Sequence, residues 1–137
     1  MDVKTNLEGF ISLVIRGSSL NFEEITTNIN LQPVKIKRKG EPITSKQVMK
    51  DDYWSYKVKF GDRHFDTALD SFLNDLMPSE KYIKRISMKH EVYIFFSTRS
   101  RLGQMGFELK PNVLRVMADL NIRFEVHVLS NGEAENE

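Results

Sequence analysis

The sequence predicts an α+β fold: a mostly antiparallel sheet of about six strands with three helices packed against it. Three observations lead there. Trp54, Tyr56, Val58 and Phe60 alternate with Tyr53, Ser55, Lys57 and Lys59, the period-two signature of a strand with one apolar face. Phe65, Ala68, Leu69, Phe72, Leu73 and Leu76 recur at the three-and-four spacing of an amphipathic helix. Strand-like and helix-like runs are interleaved along the chain, with strands in the majority, so each helix has a sheet face to cover.

Taken in order, Phe10 to Ile15 is a β-rich run closed by Arg16-Gly17-Ser18-Ser19, a buried strand followed by a turn. Asn21, with Glu24 three residues on, marks a helix N-terminus. Phe22, Ile25 and Ile29 then share one face until Pro33 stops the helix. Val34, Ile36 and Arg38 alternate with Lys35, Lys37 and Lys39, which suits a short edge strand with a cationic face ending at Gly40. Residues 41–52 lack a sustained period and read as the longest loop. The strand through Trp54 follows, then Gly61-Asp62 as a turn, then the helix from Phe65, ended by Pro78.

Tyr82 to Met88 fits either a helical turn, through Tyr82, Ile83 and Ile86, or a strand, through Lys84, Ile86 and Met88. Its position before a turn at Lys89-His90-Glu91 favours the strand. Val92 to Ser97 is a continuous apolar strand that suits the middle of a sheet, with both faces covered or with one face packed and one aromatic. Residues 98–106, rich in Arg and Gly, read as a loop. Pro111 suits a first helical position, ahead of an apolar stripe of Val113, Leu114, Met117 and Leu120. Ile122 to Leu129 alternates once more and closes the fold as a strand.

The first six elements match the split βαβ order of ferredoxin-like folds, in which right-handed crossovers place both helices on one side of an antiparallel sheet. Strand, helix, strand recurs in kind from Val92 to Leu129, which suggests an extended or duplicated second half. One α+β domain is expected over residues 8–130, between a flexible N-terminus (1–7) and a disordered acidic tail (131–137).

Composition narrows the function classes. The 137 residues are 40% hydrophobic and 28% charged, ordinary globular usage that disfavours disordered, collagenous and coiled-coil chains. Twenty basic residues against nineteen acidic ones leave +1, so no global field draws the chain to nucleic acid or to an anionic membrane. With no cysteine, disulfides, thiol chemistry and thiolate zinc sites are excluded. No apolar leader follows Met1 and no run is long enough to span a bilayer, so a cytoplasmic protein is expected.

The search for chemistry finds little. His64, His90 and His127 stand far apart and outside any metal-binding spacing, and no nucleophile elbow, phosphate loop or dinucleotide fingerprint occurs. No catalytic residue, metal ligand or cofactor site is assigned. Two local anomalies remain. Residues 35–50 hold six basic side chains against Glu41 alone, a local +5 in a chain of +1. That patch would steer an acidic partner or bind phosphates, or it would simply guard an edge strand. The run from Arg99 to Gly106 follows a buried strand and precedes a helix, where arginines and backbone N–H groups can cradle an anion, or where an ordinary solvated connection would lie. Trp54 shares its face with Val58 and Phe60 and belongs in the core, while Tyr53 points the other way, toward a partner.

The helix Ile25 to Leu31 leading to Pro33, then Lys39-Gly40, Trp54 opening a strand, Phe107-Glu108-Leu109 before a helix, and Leu120-Asn121-Ile122 entering the last strand resemble the bacterial family called domain of unknown function 4279. The resemblance runs from about Phe10 to Leu129. It rests on turns and core positions, implies a fold and a bacterial origin, and carries over no active-site residue. The cationic stretch around residues 35–50 is the departure.

The expected function is a non-enzymatic protein-binding module, in the manner of an immunity protein, with Lys35, Lys37, Lys39, Tyr53, Arg99 and Arg101 as binding residues toward an acidic partner. Two alternatives stand beside it. One is a small-ligand or anion site, or an enzyme, built on the 99–106 loop against His64 or His127. The other, disfavoured by the overall charge, is nucleic-acid binding through residues 35–50. A homodimer through an uncovered sheet face or edge is also open.

Overall fold

The computed structural model describes residues 7–60, 64–102 and 106–133. Five strands and four α-helices follow one another along them: β1 (Leu7–Gly17), α1 (Phe22–Ile29), β2 (Lys35–Lys37), β3 (Asp52–Lys59), α2 (Phe65–Leu76), α3 (Glu80–Ser87), β4 (Glu91–Leu102), α4 (Pro111–Asp119) and β5 (Arg123–Glu133). The sheet order is β2-β3-β1-β4-β5. β2, β3, β1 and β4 pair antiparallel with one another, and β5 lies parallel to β4. The α+β class holds, as a mixed sheet.

Two expectations are corrected. Residues 82–87 belong to a helix, with Met88 as its C-cap, so the sheet has five strands among the described residues where six were expected. Tyr82, Ile83 and Ile86 are its buried residues, a helical spacing that seals the same core as the other helices. Pro78 ends α2 but not the helical path: it sits in the first turn of a 3-10 segment, Met77–Ser79, where a missing N–H costs nothing, and α3 starts directly afterwards. Second, residues 98–102 are not loop. β4 continues to Leu102, with an irregularity between Ser100 and Leu102. Residues 103–105 lie outside the described residues, as do 1–6, 61–63 and 134–137, which include most of the expected flexible terminus and tail.

The two strand-helix-strand units differ in a way that limits any duplication. β1 and β2 are separated by β3, whereas β4 and β5 are direct neighbours. The turn between α4 and β5 has Asn121 in the left-handed region at φ 59°, a conformation asparagine tolerates.

Register divides the sheet into two faces. Ile11, Leu13 and Ile15 of β1 lie opposite Val58, Tyr56 and Trp54 of β3 and opposite Phe96, Ile94 and Val92 of β4. These side chains form one core cluster with the buried residues of all four helices. Its aromatic centre is Phe60, Phe65 and Phe96, with the Phe65 and Phe96 rings 4.2 Å apart, centroid to centroid, and the half-buried Phe124 and exposed Phe107 pack at its rim. Trp54 is fully buried and its indole nitrogen donates to Thr26 Oγ1 at 3.0 Å, which docks α1 on the sheet. Ser79 Oγ donates to the Ile29 carbonyl at 2.9 Å, tying the start of α3 to the end of α1.

Gly9 is required by close approach. A Cβ there would lie 1.9 Å from the Ser97 carbonyl oxygen of β4, so any side chain would force β1 and β4 apart.

Candidate functional site: the open face of the sheet

The second face of the sheet carries the alternate residues of every strand, and none of them belongs to the core cluster that the helices complete. On β1 these are Phe10, Ser12, Val14 and Arg16; on β3, Tyr53, Ser55, Lys57 and Lys59; on β4, Tyr93, Phe95, Ser97 and Arg99. Lys35 and Lys37 of β2 extend the face to one side, and Arg123, Glu125, His127 and Leu129 of β5 extend it to the other.

Long side chains roof this face in place of helices. The Lys57 amine sits 4.5 Å from the centroid of the Phe10 ring, the Arg123 guanidinium 4.2 Å from Tyr93, and the Lys35 amine 5.4 Å from Tyr53. Cations are attracted to the negative faces of aromatic rings, so each pair keeps a charge at the surface while its alkyl stem covers apolar area. Beneath this layer Val14, Tyr93, Ser12 and Ser55 are buried. Burial pushes the Tyr93 hydroxyl pKa above the ordinary tyrosine value.

At the β5 side, Arg123 Nη2 lies 2.6 Å from Glu91 and 3.3 Å from Glu125, whose other oxygen is 2.9 Å from His127 Nε2. The hydrogen bond from His127, with that from Arg123, holds the Glu125 carboxyl below the usual range, and the two carboxylates raise Arg123. The His127 ring also lies 4.6 Å from Phe95, centroid to centroid, and Phe95 is 6.0 Å from Phe10. A ring row therefore crosses three strands, flanked by basic residues on both sides.

The structure brings four of the six sequence-predicted binding residues to this face. Lys35, Lys37, Tyr53 and Arg99 all occupy open-face register positions. Lys39 does not join them as part of the strand: it stands beyond β2, and its backbone N–H is bound by Asp52. The Arg101 side chain lies outside the described residues.

The supposed anion loop is corrected with β4. Arg99 lies within a strand, paired between Glu8 and Leu129, and so does not form a loop cradle. His64 is the exposed N-cap residue of α2. Among the described residues no three His, Asp or Glu side chains converge as metal ligands.

A shallow cleft of about 210 Å³ lies elsewhere, between the turn that precedes α1 and the end of α3, lined in part by Asn21, Glu24, Arg85, Lys89 and His90. Tyr82 also lines it, but its hydroxyl is sealed in the protein without a hydrogen-bond partner among the described residues. The cleft thus lacks an inward-facing polar anchor from that ring.

Sequence reading missed Phe10, Phe95, Lys57 and Arg123 as site residues. A signal was present: Val92 to Phe96 divides by alternation into a core set and a Tyr93/Phe95 set, the packed face and aromatic face that were one of the two readings of this strand, but its aromatic residues were not carried into the site.

The family model for domain of unknown function 4279 matches residues 5–131, nearly the whole chain. The chain belongs to the DUF4279 family. No curated protein and no solved structure gives a match. The DUF4279 match takes in residues 35–50, so the cationic stretch lies inside the family domain and is not appended to it. No helix among the described residues of this DUF4279 domain is long and apolar enough to cross a membrane.

Proposed function

We propose that this domain is a non-enzymatic protein-binding module of the bacterial cytoplasm, acting in the manner of a toxin-neutralising immunity protein, with the open sheet face as its docking surface for an acidic partner. The observation that carries this reading is the cation-on-ring layer: Lys57 on Phe10, Arg123 on Tyr93 and Lys35 on Tyr53. Aromatic rings and arginine are the side chains that anchor protein interfaces, and a field of lysines around them speeds encounter with an acidic surface. The order of the first four strands, β2-β3-β1-β4 with antiparallel neighbours, supports a ferredoxin-like core to which α4 and β5 are added.

The same layer weighs against a nucleic-acid platform. Single-stranded bases stack on open ring faces, and here a lysine or arginine already occupies the rings they would need.

The test is affinity capture from the native host followed by association kinetics of the captured partner. With Lys35, Lys37 and Lys57 replaced by Glu, the association rate should fall roughly tenfold or more at low salt, and the difference should close as salt is raised. An unchanged rate, or a captured ligand that is nucleic acid, would overturn the reading.

A further inference from the structure

The two edges of the sheet are unlike. β2 is three residues long and carries Lys35 and Lys37, the usual protection against edge-to-edge pairing. β5 is eleven residues long, and no described strand pairs with its outer side. Its apolar side chains run past the cover that the helices provide: Val126 is 38%, Val128 48% and Leu129 55% exposed. A long apolar edge of this kind is a template for another strand.

We infer that the outer edge of β5 pairs with β5 of a second copy of this chain, antiparallel about a two-fold axis at Val126, to give a continuous ten-stranded sheet. Continuity of the two faces requires that paired residues have the same parity, because opposed side chains in an antiparallel pair share a face. A two-fold axis at Glu125 would set carboxylate against carboxylate, and one at His127 would set imidazole against imidazole. The axis at Val126 is self-complementary: Glu125 faces the partner's His127 twice, so the 2.9 Å pair within each strand becomes a square of alternating groups. On the other face Phe124 meets the partner's Val128 and Val126 meets its own copy, so exposed apolar area is covered by apolar area. Arg123 faces the partner's Leu129 while its guanidinium stays with Glu91 and Glu125 of its own chain.

The dimer engages only the β5 margin of the open face and leaves its β2-β3-β1 part, with the Lys57–Phe10 and Lys35–Tyr53 pairs, uncovered, so self-association and partner capture are read separately. Light scattering over a dilution series reads the mass, and the absence of cysteine makes a register test direct. Val126→Cys should form an intermolecular disulfide on mild oxidation, since residues opposed across an antiparallel pair have Cα atoms about 4.5–5.5 Å apart, within disulfide reach. Ile36→Cys, on the opposite edge, should not.

Val128→Lys should raise the dimer dissociation constant about tenfold or more. Glu125→Lys should weaken the dimer, and the added His127→Glu should restore it, with far-UV circular dichroism confirming that each variant folds. A chain monomeric throughout the dilution series, cross-linking through Ile36→Cys in place of Val126→Cys, or no rescue by the charge exchange would overturn the inference.

Discussion

Lys39 and Asp52 close the neck of a fourteen-residue excursion: the Lys39 backbone N–H donates to Asp52 Oδ1 at 2.7 Å, while Oδ2 accepts from the Leu20 backbone N–H at 3.0 Å. One buried carboxylate thus holds the turn before α1 and the segment between β2 and β3 to the end of the sheet, where Asp52 pairs with Gly17. Beyond the neck the excursion is self-bonded, with Gly40 N–H to the Met49 carbonyl at 2.9 Å, Met49 N–H to Glu41 at 2.8 Å, and a bridge between Pro42 and Val48.

Asp52→Ala is expected to cost about 1–3 kcal/mol, because two backbone donors lose their acceptor in a buried setting. Asp52→Asn keeps one acceptor oxygen and should cost less. The two backbone hydrogen bonds hold the Asp52 carboxyl below its ordinary value of 3.8, outweighing the opposing effect of burial. A depressed folded-state pKa means that its contribution is complete above 3.8 and is lost as pH falls through the lowered value. Urea unfolding across that acid range should show a steeper loss of stability in the native chain than in Asp52→Ala. Parallel curves would contradict the assignment.

Gly9→Ala should destabilise the fold by about 2 kcal/mol or more, through a forced shift of backbone against backbone. The clash is with the Ser97 carbonyl and cannot be relieved by a rotamer change. Amide exchange in the β1–β4 ladder should accelerate first around Gly9 and Thr98, which are paired residues. Uniform protection in the variant would show that the strands yield without cost.

Thr26→Val keeps the shape of the side chain but leaves the Trp54 indole N–H without its acceptor, at a cost of about 1–2 kcal/mol. Trp54 is the chain's single tryptophan, so its fluorescence reports the change directly. The unfolding midpoint should drop and the emission should shift in the folded state. An unaltered spectrum would mean that the hydrogen bond contributes little to docking α1.

Asn21→Ala should cost about 1 kcal/mol, since Asn21 Oδ1 accepts from the Glu24 backbone N–H at 3.0 Å and satisfies a free donor of the first helical turn. Asn21→Ser should be nearly neutral. Thermal melts of the two variants give the comparison, and equal losses would point to packing and not to the cap.

Where a segment carried one clear period, its neighbours had no say. The helix from Phe65 was readable because six apolar residues over three turns can share a face only as a helix, and its bounds and buried set follow that pattern. Residues 82–88 were misread because seven residues with four apolar positions fit two periods. The decision came from the core, which takes Tyr82, Ile83 and Ile86 together only if the backbone is helical. Arg99 was misplaced for a related reason: Arg and Gly composition signals a loop, but β4 is held in place between β1 and β5 by backbone pairing that side-chain identity does not reveal.

By itself the sequence determined the α+β class, most of the strands and helices, the cap at Asn21, the helix start at Pro111, the cationic edge at Lys35 and Lys37, and the family. These follow from interactions within a few residues of each other along the chain. Only the tertiary structure decided which face of the sheet stays open, which cations sit on Phe10, Tyr53 and Tyr93, and that Asp52 locks two turns. Those pairings join residues from different strands and loops, so strand order and register had to be in place before any of them could be read.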